Sequence, residues 1–282
     1  MRGGAFVAAL CALTASAASA QQPDFVNARI VSRTAQPDVR RAVADIASAQ
    51  TDAAWIGYAI PAIVHASNAR NDGWSERCRL EQQRIDPATR DALRGPVHLE
   101  PAPTAMVLVR VQSGEIGRVR ALSGDCQVDA GGLQVFWLAG VSGAQSVDFL
   151  KTLVAGIDTR ERTEGALAAI ALHRDAAATA AILEMAKSGA PRVRERALFW
   201  IAQRAESQAA GVITQAIDSD PDVEVKKQAV FALSQLPRDE GIPILIELAG
   251  SSAHPVVRKQ AMFWLGQSTD PRALTFFEDI LR

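Results

Sequence analysis

Tyrosine occurs once in the 282 residues, histidine four times and cysteine three times. His65, His98, His173 and His254 lie on four separate segments, and none belongs to an H-E-x-x-H motif or to a close His/Cys/Asp pair with ligand spacing. A metal centre would have to be assembled from distant residues, and no metal is expected. No G-x-S-x-G or P-loop is present, so neither a serine-hydrolase elbow nor a phosphate cradle is indicated. No cofactor and no catalytic residue is assigned. Basic excess is missing too: 30 Lys and Arg stand against 31 Asp and Glu. Without a long-range positive field, nucleic acid and anionic lipid are not favoured partners.

Long apolar runs are scarce. The first lies at the amino terminus, where Arg2 precedes Ala5 to Leu13 and then Ala18-Ser19-Ala20. This reads as a cleaved signal peptide over residues 1–20, too short to span a bilayer, and implies a periplasmic or secreted protein. Cys11 lacks the flanking residues of a lipidation site and belongs to the leader. No later stretch is long and apolar enough to cross a membrane. Cys78 and Cys126 are then the only cysteines of the mature chain. In an oxidising compartment they read first as a disulfide worth about 4 kcal/mol on the chain-entropy argument, with two separate buried thiols as the alternative.

What the chain does contain is a repeated phrase. "RERALFWIAQ" begins at Arg194, "KKQAVFALSQ" at Lys226 and "RKQAMFWLGQ" at Arg258; a degenerate "TEGALAAIAL" precedes them at Thr163. Their reference alanines, Ala197, Ala229 and Ala261, are 32 apart, with Ala166 another 31 upstream. Apolar residues at zero, plus one and plus four form one helical face, joined by Val193, Val225 and Val257 at minus four. Between the copies lies a second amphipathic phrase, in phase at Leu150, Ile182, Ile213, Leu245 and Phe277. The unit is therefore a pair of helices. Pro191, Pro221 and Pro255 are expected in first turns, capped by the small polar residues before them. Asp218, Asp220 and Asp222 read as one solvated turn favouring a helix N-terminus.

"DSDPDVEVKKQAVFALSQL" and "HPVVRKQAMFWLGQ" resemble the second helix of HEAT repeats, of the short HEAT-like variety, over about residues 146–282. The period is shorter than that of standard units of about 40 to 47 residues. The resemblance implies an α-solenoid whose second helices line a concave, protein-binding surface. Some HEAT-like enzymes hold iron through His-Glu dipeptides, and other relatives attach bilins. Here Ala66, Leu99, Arg174 and Pro255 follow the histidines, so the iron chemistry does not carry over, and nothing indicates a pigment.

Residues 21–141 lack the period and read as a small α+β domain with an antiparallel sheet. Strands are expected at Asn27 to Arg33, Thr104 to Gln112, Glu115 to Leu122 and Leu133 to Ala139, with Ser113-Gly114 as a hairpin turn. One helix should follow Pro37, burying Val39, Val43 and Ile46. Trp55 and Tyr58 in "DAAWIGYAIPAI", with "DGWSERC", would form either a recognition surface or an aromatic cluster beneath the sheet. Residues 142–282 form the solenoid, and Ser142 with Gln145 fits a capping box at its start.

The plus-two position of each strong copy is phenylalanine: Phe199, Phe231 and Phe263. At about 100° per residue it points to about 200°, away from the apolar face near about 50°. Gln203, Gln235 and Gln267 lie on the same side, as do Arg196, Gln228 and Gln260. This stripe, with Trp200 and Trp264 at its edge, is the candidate partner-binding groove; the alternative places the rings between repeats. The functional reading is an exported, non-enzymatic scaffold or adaptor for a protein partner. Its rival is an enzyme or sensor with its site in the N-terminal domain and the repeats as an accessory clamp.

Overall fold

The computed structural model describes residues 23–63, 78–81, 103–156, 160–204 and 207–282. The leader with Cys11, His65, His98 and most of "DGWSERC" lie outside the described residues.

Among the described residues, seven strands and one helix form the first part of the chain. They are β1 (Phe25–Val26), β2 (Arg29–Thr34), α1 (Val39–Ser48), β3 (Ala54–Pro61), β4 (Thr104–Gln112), β5 (Glu115–Ser123), β6 (Val128–Asp129) and β7 (Gln134–Ala139). A five-stranded sheet runs β2-β7-β3-β4-β5, beside a small β1-β6 ladder. The expected antiparallel pairing holds for β3-β4-β5, whereas β2-β7 and β7-β3 run parallel. Ser113 and Gly114 both take positive φ, at 51° and 82°, which is what a tight hairpin between right-twisted strands demands. Asp38 caps α1 by accepting from the Arg41 amide at 2.9 Å, and Val39, Val43 and Ile46 are buried as expected.

β3 is the central strand, and its alternation sends its side chains into two different cores. Ile56, Tyr58 and Ile60 face α1 and the helical array; Trp55 faces Met106, Leu108, Trp137 and the cysteines. Trp55 and Tyr58 are both fully buried, so neither contributes to a recognition surface. Nor do they cluster together, because residues three apart on a strand point to opposite faces. Gly57 is needed on the Trp55 side: a Cβ there would lie 2.9 Å from Leu108 Cδ2 and 3.0 Å from Trp137 Cε3. Cys78 and Cys126 are disulfide-bonded at a Cα–Cα distance of 5.9 Å, tying the short 78–81 segment to the end of β5.

Nine helices follow among the described residues: α2 (Gly143–Ala155), α3 (Arg160–Leu172), α4 (Ala176–Ser188), α5 (Pro191–Gln203), α6 (Ala209–Ser219), α7 (Val223–Ser234), α8 (Arg238–Ser251), α9 (Pro255–Gly266) and α10 (Pro271–Ile280). They pair as α2/α3, α4/α5, α6/α7 and α8/α9, with α10 as a fifth first helix. The Ser142–Gln145 capping box is present at the start of α2. Every reference alanine is fully buried, as are Leu198, Val230, Leu233 and Leu245. Near residue 282, Met262, Ile280 and Leu281 are exposed.

The turn chemistry differs from expectation. Pro191 and Pro255 do open α5 and α9, but Ala190 and His254 in front of them make no side-chain cap bond. Pro221 stands one residue before the cap, and Asp222 accepts from the Glu224 amide at 2.8 Å.

Sheet and array share one apolar core. Tyr58 Oη and Ser146 Oγ hydrogen-bond at 2.9 Å inside it, and burial pushes the Tyr58 phenol above its ordinary value against the lowering effect of that bond. Gly165 of α3 sits close against the sheet, where a Cβ would come within 2.0 Å of the Val119 carbonyl oxygen on β5.

Candidate interaction surface

The first residue of each repeated phrase acts on the helix before it. Arg194 Nη1 donates to Gly189 O at 2.7 Å, Lys226 Nζ donates to Ile217 O and to Asp218 O at 3.0 Å, and Arg258 Nη1 donates to Ser252 O at 2.6 Å. Each cation thus satisfies carbonyls at the C-terminal end of a first helix, where the helix dipole favours positive charge. Asp220 is not part of a solvated turn: it takes Arg194 bidentately at 2.7 and 2.8 Å, and this holds its carboxyl below the usual range despite burial. The spacing of these cations is visible in the sequence at 194, 226 and 258, yet their target could not be read there because it lies in the preceding helix.

With the inward faces and their joints fixed, the outward rows of α5, α7 and α9 can be placed. Phe199 stacks on Phe231 with ring centroids 6.1 Å apart and planes 2° from parallel. Phe231 meets Trp264 of the next repeat at 4.8 Å, and Trp264 meets Phe263 at 5.0 Å; Trp200 closes the other end against Phe199 at 5.2 Å. Phe199, Phe231 and Phe263 stay outside the apolar core, while Trp200 and Trp264 lean on it. Phe199 and Phe231 are half-buried and Phe263 is 52% exposed. The structure therefore brings all five rings into one ladder. Its rings contact one another across repeats, so the ladder is continuous.

Polar rows flank the rings. Gln235 and Gln267 are exposed; Gln203, Gln228 and Gln260 are half-buried. Trp264 Nε1 is buried without a hydrogen-bond partner and borders a cavity of about 320 Å³ lined by Gln235, Arg238, Ile242, Gln267 and Ser268 among others. Nearer the sheet, Glu164 of α3 meets Arg160 at 2.9 Å, Arg192 at 3.4 Å and Arg196 at 3.5 Å. Burial opposes its ionisation, but those guanidiniums prevail and lower its pKa. Burial raises the pKa of Glu195, Asp222 and Glu224 raise it further, and the nearby Arg192 and Arg196 oppose them.

The two described histidines serve elsewhere. His254 precedes α9, and His173 is wholly buried where the array meets β3. No group of three or more His, Cys, Asp or Glu side chains stands within metal-binding reach among the described residues.

The family of HEAT repeats matches residues 210–282. The helix pairs of this segment are similar to HEAT repeats. The match covers α7, α8, α9, α10 and nearly all of α6, and the 32-residue phase extends the HEAT-like architecture back through α2. Four solved chains match, among them human deoxyhypusine hydroxylase in complex with glycerol, at 17% identity and a TM-score of 0.34. That alignment covers 47% of this chain and 43% of the hydroxylase, so this chain spans less than half its length, and so distant a likeness assigns it no activity. Among the curated proteins none matches the sequence.

Proposed function

We infer that the protein is an exported scaffold or adaptor that performs no catalysis and binds a protein partner on the concave face of its HEAT-like solenoid. The observation that supports this is the aromatic ladder. Phe199, Phe231 and Phe263 recur at one position of successive second helices and lie outside the core that the repeats need for folding. Apolar rings bounded by glutamines and charges have the composition of a recognition patch, where aromatic anchors contribute most of the binding energy. Export to an oxidising compartment agrees with the bonded Cys78 and Cys126.

The test is affinity capture from an envelope extract with the wild-type chain and with Phe231→Ala. Losing two ring contacts should lower stability by about 1 to 3 kcal/mol, which leaves the chain folded. Wild type should retain a defined partner that Phe231→Ala releases. Identical capture by both chains refutes the surface.

A further inference from the structure

The fold closes one edge of the five-stranded sheet and leaves the other open. β5 is covered by α3, whose Gly165 lies against the Val119 carbonyl and whose Glu161 takes Arg118 at 2.7 Å. β2 ends the sheet on the opposite side, and all six of its residues, Arg29 to Thr34, are exposed. Toward β7, Arg29 N donates to Leu133 O at 3.2 Å and, just past the strand, Ala35 N donates to Ala139 O at 2.9 Å. Alternate residues of a strand turn their N–H and C=O to the same neighbour, so Ile30, Ser32 and Thr34 point theirs to the open side. Pleating sorts the side chains onto two faces. Arg29, Val31 and Arg33 share the face of Phe136, over whose ring Arg33 lies at 5.2 Å, while Ile30 and Ser32 stand on the other. Ile30 is 37% and Val31 39% exposed. Among the described residues, neither Arg29 nor Arg33 stands in an ion pair.

We propose that β2 takes an added β-strand from a partner protein, an extended segment that carries two acidic residues four positions apart. Free main-chain groups along an edge strand select an extended partner, because that conformation meets donors and acceptors at every second residue. The side chains select its charge. Arg29 and Arg33 flank Val31 on one face, so a strand laid beside them in either direction is matched by carboxylates at its first and fifth positions and an apolar residue at its third. On the other face an apolar side chain meets Ile30. The same two charges disfavour a second copy of this chain. Two-fold antiparallel pairing of β2 about Ser32 would set Val31 opposite Arg33 and line the arginines of both strands along one face, where like charges repel. An occupied β2 edge is independent of whether the aromatic ladder binds a partner.

The experiment is fluorescence anisotropy of the full chain with the labelled peptide Ser-Glu-Thr-Val-Ile-Glu-Ser, its analogue with lysine for both glutamates, and two copies N-methylated at alternate amides, one for each edge of the peptide. The glutamate peptide should bind at least about tenfold more tightly than the lysine one, since two cross-strand pairs change from opposite to like charge. That order should reverse in the double variant Arg29→Glu, Arg33→Glu. Methylation of one amide set should abolish binding, and methylation of the other, which faces away from β2, should spare it. Ser32→Pro removes an outward N–H while leaving the bonds to β7, and should weaken the glutamate peptide by a similar factor. Far-UV CD confirms that these exposed variants stay folded, and the methylated peptides test the pairing on the unaltered chain. No binding at about 1 mM, equal binding of the glutamate and lysine peptides, or binding indifferent to both methylated sets overturns the proposal. Dimerisation in sedimentation velocity that Ser32→Pro abolishes would give the edge to a second copy and also overturns it.

Discussion

His173 should make the joint between sheet and solenoid sensitive to acid. Its ring is fully buried, and its Nδ1 lies 2.7 Å from the Ala169 carbonyl oxygen. A carbonyl only accepts, so Nδ1 carries the proton and Nε2 is a bare acceptor, buried without a partner. Around it the chain is stitched together: Ile63 N donates to Leu172 O at 2.9 Å, Arg174 N to Pro61 O at 3.1 Å, and Arg204 Nη1 to His173 O at 2.9 Å. Protonating Nε2 would add an unpaired donor and a charge. Burial is the main cause that lowers the imidazole pKa, Arg204 lowers it further, and the bonds to Ala169 and Ile170 with the Asp175 charge oppose. The unfolded chain therefore binds the proton more readily than the folded one. Stability should be full above the ordinary imidazole value of 6.5 and fall as pH drops below it, until the lowered folded value is passed. Within that window the slope is about 1.4 kcal/mol per pH unit. Denaturant unfolding of wild type and His173→Phe at several pH values, read where CD and tryptophan fluorescence transitions coincide, isolates this group because the carboxylates titrate alike in both. Parallel curves for the two chains between pH 7 and 5 would refute the argument.

Two further substitutions probe the same joint. Gly165→Ala places a methyl group against the Val119 carbonyl and should cost about 1 to 3 kcal/mol by overpacking, whereas Gly211→Ala, with open space around it, should gain about 0.5 to 1 kcal/mol; equal shifts in chemical unfolding would contradict the contact. Tyr58→Phe strands the Ser146 hydroxyl and should cost about 1 to 3 kcal/mol, while the double variant with Ser146→Ala should recover much of the loss; a double variant no more stable than the single one would refute the buried pair.

The repeats were legible because helical periodicity and the 32-residue phase report the same faces several times. Ala197, Ala229 and Ala261 could be placed in the core without coordinates, and the outward direction of Phe199, Phe231 and Phe263 followed from the same wheel. Sheet order was less legible. β3 reads as a continuous apolar run because both faces are covered, so periodicity could not separate the Trp55 side from the Tyr58 side. The parallel partners of β7 depend on crossovers far apart in sequence. Ring-to-ring contact was equally out of reach: spacing places each phenylalanine on a face, but only the packing of adjacent repeats brings Trp264 between Phe231 and Phe263.

The degenerate first copy of the phrase has a physical cause. Where the later copies carry Arg196, Gln228 and Gln260 on the outward row, the first carries Gly165, because the backbone of β5 occupies that position. Arg118 of β5 reaches Glu161 of α3 at 2.7 Å and fastens the strand there. Where the later copies carry phenylalanine, the first carries Ala168. The sheet thus closes the N-terminal end of the array much as a capping repeat would, covering a face that stacking alone would leave bare. The aromatic ladder accordingly begins at α5, the helix that also carries Arg192 and Arg196.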